Sequence, residues 1–130
     1  MQVEILSLCD FAADYAGKLT VVGAFDSIYA RQVPAVHAHC CIAVKLRFER
    51  VEEGAKTLRL SITDDDGHPV LPQMEIPIRV GMPPDAHTNA IQVVANIAGL
   101  KFDAFGEYSI DLAIDGRHEG GIPLFVRQMS

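Results

Sequence analysis

Apolar and polar positions alternate along most of this chain with a period of two, the spacing of a strand with one dry and one wet face. Between Cys40 and Arg50, Ile42, Val44, Leu46 and Phe48 fall on one side, and Lys45, Arg47 and Glu49 on the other. Leu58, Leu60 and Ile62 repeat the pattern, as do Met74, Ile76, Ile78 and Val80. Ile91-Val93-Ala95-Ile97, Tyr108-Ile110-Leu112-Ile114 and Ile122-Leu124-Val126 follow. With Val3–Leu8 and Leu19–Ile28, the pattern predicts about eight strands.

The intervening residues fit. Asp66-Gly67 and Asp115-Gly116 have the chemistry of tight hairpin turns, where both central residues need positive φ. Pro77 cannot donate to a ladder and so places its strand at an edge. Only Asp10–Gly17 reads as helical, with Asp10 as cap and Gly17 as terminator. The prediction is an all-β chain: one antiparallel β-sandwich over residues 1–130, with one short helix near the N-terminus. Tyr108, two residues before core position Ile110, adds an immunoglobulin-like topology. A tyrosine there closes a corner by hydrogen bonding back to the preceding backbone.

Some apolar residues do not fit a two-layer sandwich. Leu19–Ile28 is apolar on both parities, with Val22, Ala24 and Ile28 opposing Leu19, Val21 and Phe25. Phe125 opposes Leu124 and Val126, and Val94 falls on a face expected to be wet. Either the Asp10–Gly17 helix covers this second face, or Val22, Val94 and Phe125 mark a protein interface, most simply that of a homodimer.

Composition narrows the partners. Among 130 residues, 11 are basic and 17 acidic, a net charge of −6, which repels nucleic acid and anionic membrane. The longest stretch without a formal charge, Ala86–Leu100, is shorter than the ~20 residues of a membrane-spanning helix. The N-terminus lacks the basic start of a secretory signal, so the expected location is cytoplasmic, with Cys9, Cys40 and Cys41 as reduced thiols.

Candidate chemistry is sparse. His37, His39 and Cys41 share one strand face if the strand is regular, and could offer Zn²⁺ two nitrogens and a thiolate. Asp64-Asp65-Asp66-Gly67 invites a Ca²⁺ reading, but its spacing is not that of a Ca²⁺ loop. Asp10, Asp14 and Asp26 read as caps and turns. No nucleophile elbow, phosphate-binding loop or dinucleotide fingerprint is present.

Leu8-Cys9-Asp10, Gly17-Lys18-Leu19, Gly23-Ala24-Phe25-Asp26, Pro34, Gly106-Glu107-Tyr108 and Ile122-Pro123-Leu124-Phe125-Val126-Arg127 carry a likeness. Through them the chain resembles, over essentially its whole length, a family of short bacterial proteins of unknown function. The resemblance implies a fold-sized unit and a bacterial cytoplasm, and assigns no catalytic or binding residue. The expected function is that of a non-enzymatic module that binds a protein or itself. The alternative is a metal- or small-ligand-binding protein built on His37, His39 and Cys41.

Overall fold

The alternating runs form strands, and those strands form two facing sheets. A computed structural model describes all residues from Met1 to Ser130. Its strands are β1 (Gln2–Tyr15), β2 (Lys18–Ala24), β3 (Ser27–Ala30), β4 (Ala35–Glu49), β5 (Gly54–Asp64), β6 (Met74–Val80), β7 (Thr88–Phe102), β8 (Gly106–Ile114) and β9 (Arg117–Gln128). One sheet has the order β2-β1-β4-β7, the other β3-β9-β8-β5-β6. All pairings are antiparallel except β3 with β9.

Between the sheets lies the main core. Ile42, Val44, Leu46 and Phe48 of β4 meet Leu58, Leu60 and Ile62 of β5, and all seven have no exposed surface. Ile110 and Leu112 of β8 and Leu124 of β9 complete its centre. Each such side chain contributes about 1.5–3 kcal/mol by leaving water. Pro77 lies in β6, the last strand of its sheet, where its missing N–H costs no ladder bond.

The strand order is immunoglobulin-like. β1, β4 and β7 stand where strands A, B and E stand in that sandwich, and β6, β5, β8 and β9 where C′, C, F and G stand. The corner tyrosine is also in place. Tyr108 enters β8 after the β7–β8 crossing, and its hydroxyl donates to Ala104 O at 2.6 Å. Its ring meets Phe102 edge-on, centroids 4.9 Å apart.

Three local expectations need correction. Asp10–Gly17 is not a helix: residues to Tyr15 continue β1, and Ala16-Gly17, at φ 51° and 79°, turn the chain tightly into β2. The only helical segment is the 3-10 turn Arg50–Glu52. Leu19–Ile28 is two strands, because the chain leaves one sheet at Ala24 and enters the other at Ser27. Asp115-Gly116 closes β8–β9 tightly, at φ 49° and 82°. Asp66-Gly67 also turns the chain back tightly, with Gly67 at φ 84°, Asp64 N donating to His68 O at 2.9 Å and Thr63 bridging Pro69 antiparallel, but the returning run does not pass straight into a strand, since β6 starts only at Met74.

Candidate functional site

The β1–β2 hairpin shapes the surface most. β1 pairs with β4 up to Cys9, and from Cys9 onward with β2. At that junction Asp10 and Gly23 drop out of the ladder, and Gly23 takes φ +70°. The hairpin bends there and lies back over the outer face of its own sheet, where Gln92 of β7 donates from Nε2 to Gly17 O at 3.1 Å.

A second, smaller core fills the space beneath. Cys9, Ala12, Cys41 and Ala43 are buried in it, with Leu19, Val21 and Val94 packed against them. The apolar second face therefore is covered by the Asp10–Gly17 segment, as strand instead of helix. Val94 is one of the covered residues. Phe125 is half-buried, with the Arg127 guanidinium 4.6 Å above its ring centre. Val22 remains 53% exposed on the hairpin's outer side.

Three of the seven exposed large hydrophobic residues, Phe11, Tyr15 and Val22, lie on this hairpin. Phe11 is directly opposite Val22 in the ladder and is likewise 53% exposed. Tyr15 lies opposite Lys18 and is 74% exposed. A helix over 10–17 would also set Phe11 and Tyr15 on one face, but it would not bring Val22 beside them. Their shared parity with Ala13 in a strand was the available signal.

His37, His39 and Cys41 do not converge. The β4–β7 ladder omits Ala38 and Gly99, and Gly99 takes φ +67°. Across this break the inward parity of β4 changes from Ala35 to Cys40, and that of β7 from Leu100 and Phe102 to Ile97 and Ala95. His37 falls on the Phe25 side, with ring centres 5.4 Å apart, while His39 is exposed. Cys41 lies in the small outer core, where its thiol donates to Asn96 Oδ1 at 3.0 Å. Cys9 donates similarly to Cys41 O at 3.5 Å. Burial pushes the Cys9 thiol up and raises Cys40 to about 11, so both are held protonated near neutrality.

The one group of three donors close enough to share an ion is Asp64, Asp66 and His68, with ligand atoms within 4.8 Å of one another. Its carboxylate already has work in the turn. Asp64 Oδ1 accepts from His68 N at 2.8 Å and Asp66 N at 3.0 Å, and the His68 bond chiefly lowers the Asp64 pKa. Nearby, a cleft of about 630 Å³ is bordered by Asp64, Glu107 and His118, and His118 Nε2 lies 3.2 Å from Asp111 Oδ1.

Two smaller clefts flank Phe25, where the chain crosses between sheets. One, of about 460 Å³, runs past Leu6, Asp26 and Pro123. The other, of about 450 Å³, is bordered by Asp10, Tyr29 and His37. The crossing is tied to both sheets: Phe25 N donates to Leu8 O at 2.9 Å, and Phe125 N to Asp26 O at 2.8 Å. The segments Leu8–Asp10, Gly23–Asp26 and Ile122–Arg127, distant in sequence, thus meet at one place.

The chain belongs to a family of unknown function, DUF6941. The match spans residues 4–127, nearly the whole sandwich. No curated protein matches the chain. Among solved structures, an immunoglobulin-like protein from Pseudomonas aeruginosa is similar at 12% identity and a TM-score of 0.45, covering 97% of this chain and 95% of that one. Strand order and the tyrosine corner are what make this sandwich immunoglobulin-like.

For a DUF6941 chain, the arrangement has two chemical resources. One is the exposed aromatic and aliphatic strip Phe11, Tyr15 and Val22, suited to burial against another polypeptide. The other is the Phe25 crossing, whose clefts fall within the 300–1,000 Å³ of small-ligand sites.

Proposed function

We propose that this protein works by binding another polypeptide and that the outer face of the β1–β2 hairpin is its recognition surface. The observation that carries this is the cross-strand pair Phe11 and Val22, each 53% exposed on a hairpin whose opposite face is already packed. The ladder already fixes the backbone of these residues, so only side-chain freedom is lost when a partner buries them, which suits an interface centre. The same reading makes the protein a binding module and not an enzyme.

The test compares tagged full-length protein with its Phe11→Asp variant in a pull-down from lysate of the source organism. The expected result is a protein retained by the first and lost by the second, with both equally folded. Equal retention by both would sink the assignment of this surface.

A second reading, binding of a small ligand beside Phe25, is favoured by the placing of His37. It shares a cleft with Asp10 and Tyr29, which gives polar groups beside an aromatic wall. A thermal-shift screen in which hits vanish with Phe25→Ala would support it. No Zn²⁺ site on His37, His39 and Cys41 follows from this geometry.

A further inference from the structure

Four strands end the two sheets, and three are guarded in familiar ways. β3 is only four residues long. β6 carries Pro77 between Glu75 and Arg79. β2 is seven residues long and begins with Lys18. β7 is fifteen residues long and pairs with β4 along one side only. It contains no proline, and its first charged residue is Lys101. None of the backbone bonds outside the ladders reaches it. Alternate residues of a one-sided strand point their N–H and C=O groups outward, which is a template for another strand. In immunoglobulin-like sandwiches strand D pairs beside E. Here no strand stands beside β7, which occupies the E position. Ile91 and Val93 of β7 are only partly buried against the main core.

We infer that β7 is a strand-addition site, and that its occupant is β7 of a second copy of this chain. The inference goes beyond the proposed binding of another polypeptide by adding self-association, and it does not use the hairpin face. The sequence of β7 is its own complement. With a two-fold axis through Val94, antiparallel pairing sets Ile91 against Ile97 of the second copy on the core side. Gln92 then meets Asn96 on the outer side, and Ala90 meets Ala98. Apolar meets apolar, and the Gln92 and Asn96 amides, which also bond Gly17 O and the Cys41 thiol, are set side by side with no charge against them. A chain of net charge −6 resists approaching itself, but the run from Ala86 to Leu100 brings no formal charge to the seam. The contact is isologous and closes, so it stops at two copies and joins the four-stranded sheets into one of eight. One strand deep, it lies at or below the low end of the ~1,200–2,000 Å² of standard interfaces, so the dimer depends on concentration.

Sedimentation of the full chain over a concentration series, paired with hydrogen–deuterium exchange, tests this. The expected result is a monomer–dimer equilibrium in which amides of 88–100 slow as the dimer forms, while those of β2 and β6 do not. Ala98→Lys, at an exposed position, guards the edge with an ammonium group. It should weaken the dimer by about tenfold or more, with the thermal midpoint unchanged at dilutions where both proteins are monomeric. A monomer at every concentration overturns the inference, and so does a dimer whose protection falls on 9–24 instead of 88–100. The first outcome leaves the hairpin reading intact, since that stands or falls on Phe11→Asp.

Discussion

The backbone of Gly23 passes so close to the Asp10 carboxylate that a Cβ added there would lie 2.5 Å from Oδ2. The two residues face each other where the β1–β2 ladder breaks, and Gly23 adopts φ +70°. This contact sets the bend that returns the hairpin over its own sheet. The left-handed backbone calls for glycine at this point, and a side chain there would also push the exposed Asp10 side chain aside.

Gly23→Ala should therefore cost about 1–3 kcal/mol, from strain and overlap together. Gly17→Ala is the control: its φ is +79°, but nothing lies within 4 Å of the added Cβ. It should cost only ~1–2 kcal/mol, from the left-handed backbone. Urea unfolding of both variants checks the order. Equal losses would mean that the Asp10 contact does not shape the bend.

Val22 and Val94 share side-chain chemistry and differ in placement. Val22→Asp on the outer hairpin face should shift stability by no more than about 0.5 kcal/mol. Val94→Asp introduces a carboxylate beside Cys9, Ala12, Cys41 and Ala43, and should cost on the order of 2 kcal/mol. Thermal melts of the two variants separate the cases. A silent Val94→Asp would mean that the hairpin does not lie on this face in solution.

The strands that proved legible in the sequence are those with one dry and one wet face, such as Ile42–Phe48, where period two is a direct record of burial. The hairpin was not legible, because Cys9, Phe11, Ala12, Ala13 and Tyr15 are apolar on both parities and carry no period. The separation of His37 from Cys41 escaped for a related reason. Alternation places both on one face, and only the ladder break at Ala38 and Gly99 moves them apart. Such breaks arise from sheet bending, a tertiary demand that shows in sequence only as a glycine. Tyr108 was legible because its corner is local, reaching back only to Ala104.

Acid should loosen the far end of β5. Hydrogen bonds from His68 N and Asp66 N hold the Asp64 carboxyl below its ordinary 3.8. A lowered pKa in the folded state means stabilisation present above that ordinary value and lost as pH falls through the folded one. Asp64→Asn keeps an acceptor and should remove the acid dependence of the 64–68 turn. Asp64→Ala should leave the turn open at every pH. Amide exchange at Asp66 and His68 reads both, and an unchanged rate in Asp64→Ala would refute the turn's dependence on this side chain.

Zinc offers a test of the β4 break. With His37 facing Phe25 and Cys41 in the outer core, these two donors cannot be joined by one ion without unpacking the strand, so the three residues cannot share it. Added Zn²⁺ should therefore leave the melting temperature of untagged protein unchanged, or shift it equally in wild type and Cys41→Ser. A stabilisation that Cys41→Ser abolishes would show that the strand is regular after all and that the three residues share a face.

Alkaline pH addresses the core itself. Cys40 has no exposed surface, and burial raises its thiol from 9.0 to about 11, with the neighbouring Cys41 and Cys9 adding to the shift. The unfolded chain thus ionises first, and the folded state keeps its full stability below pH 9.0 and loses it as pH rises toward about 11. Cys9 and Tyr108 are raised in the same direction, so the wild-type slope is a sum. Cys40→Ala isolates one part of it. The variant should be less stable at neutral pH through lost packing, yet decline less steeply above pH 9.0. Urea midpoints measured at intervals across that range give the two slopes directly. Parallel slopes would mean that the Cys40 thiolate is accommodated in the folded core, against a burial that leaves it no water and no cation.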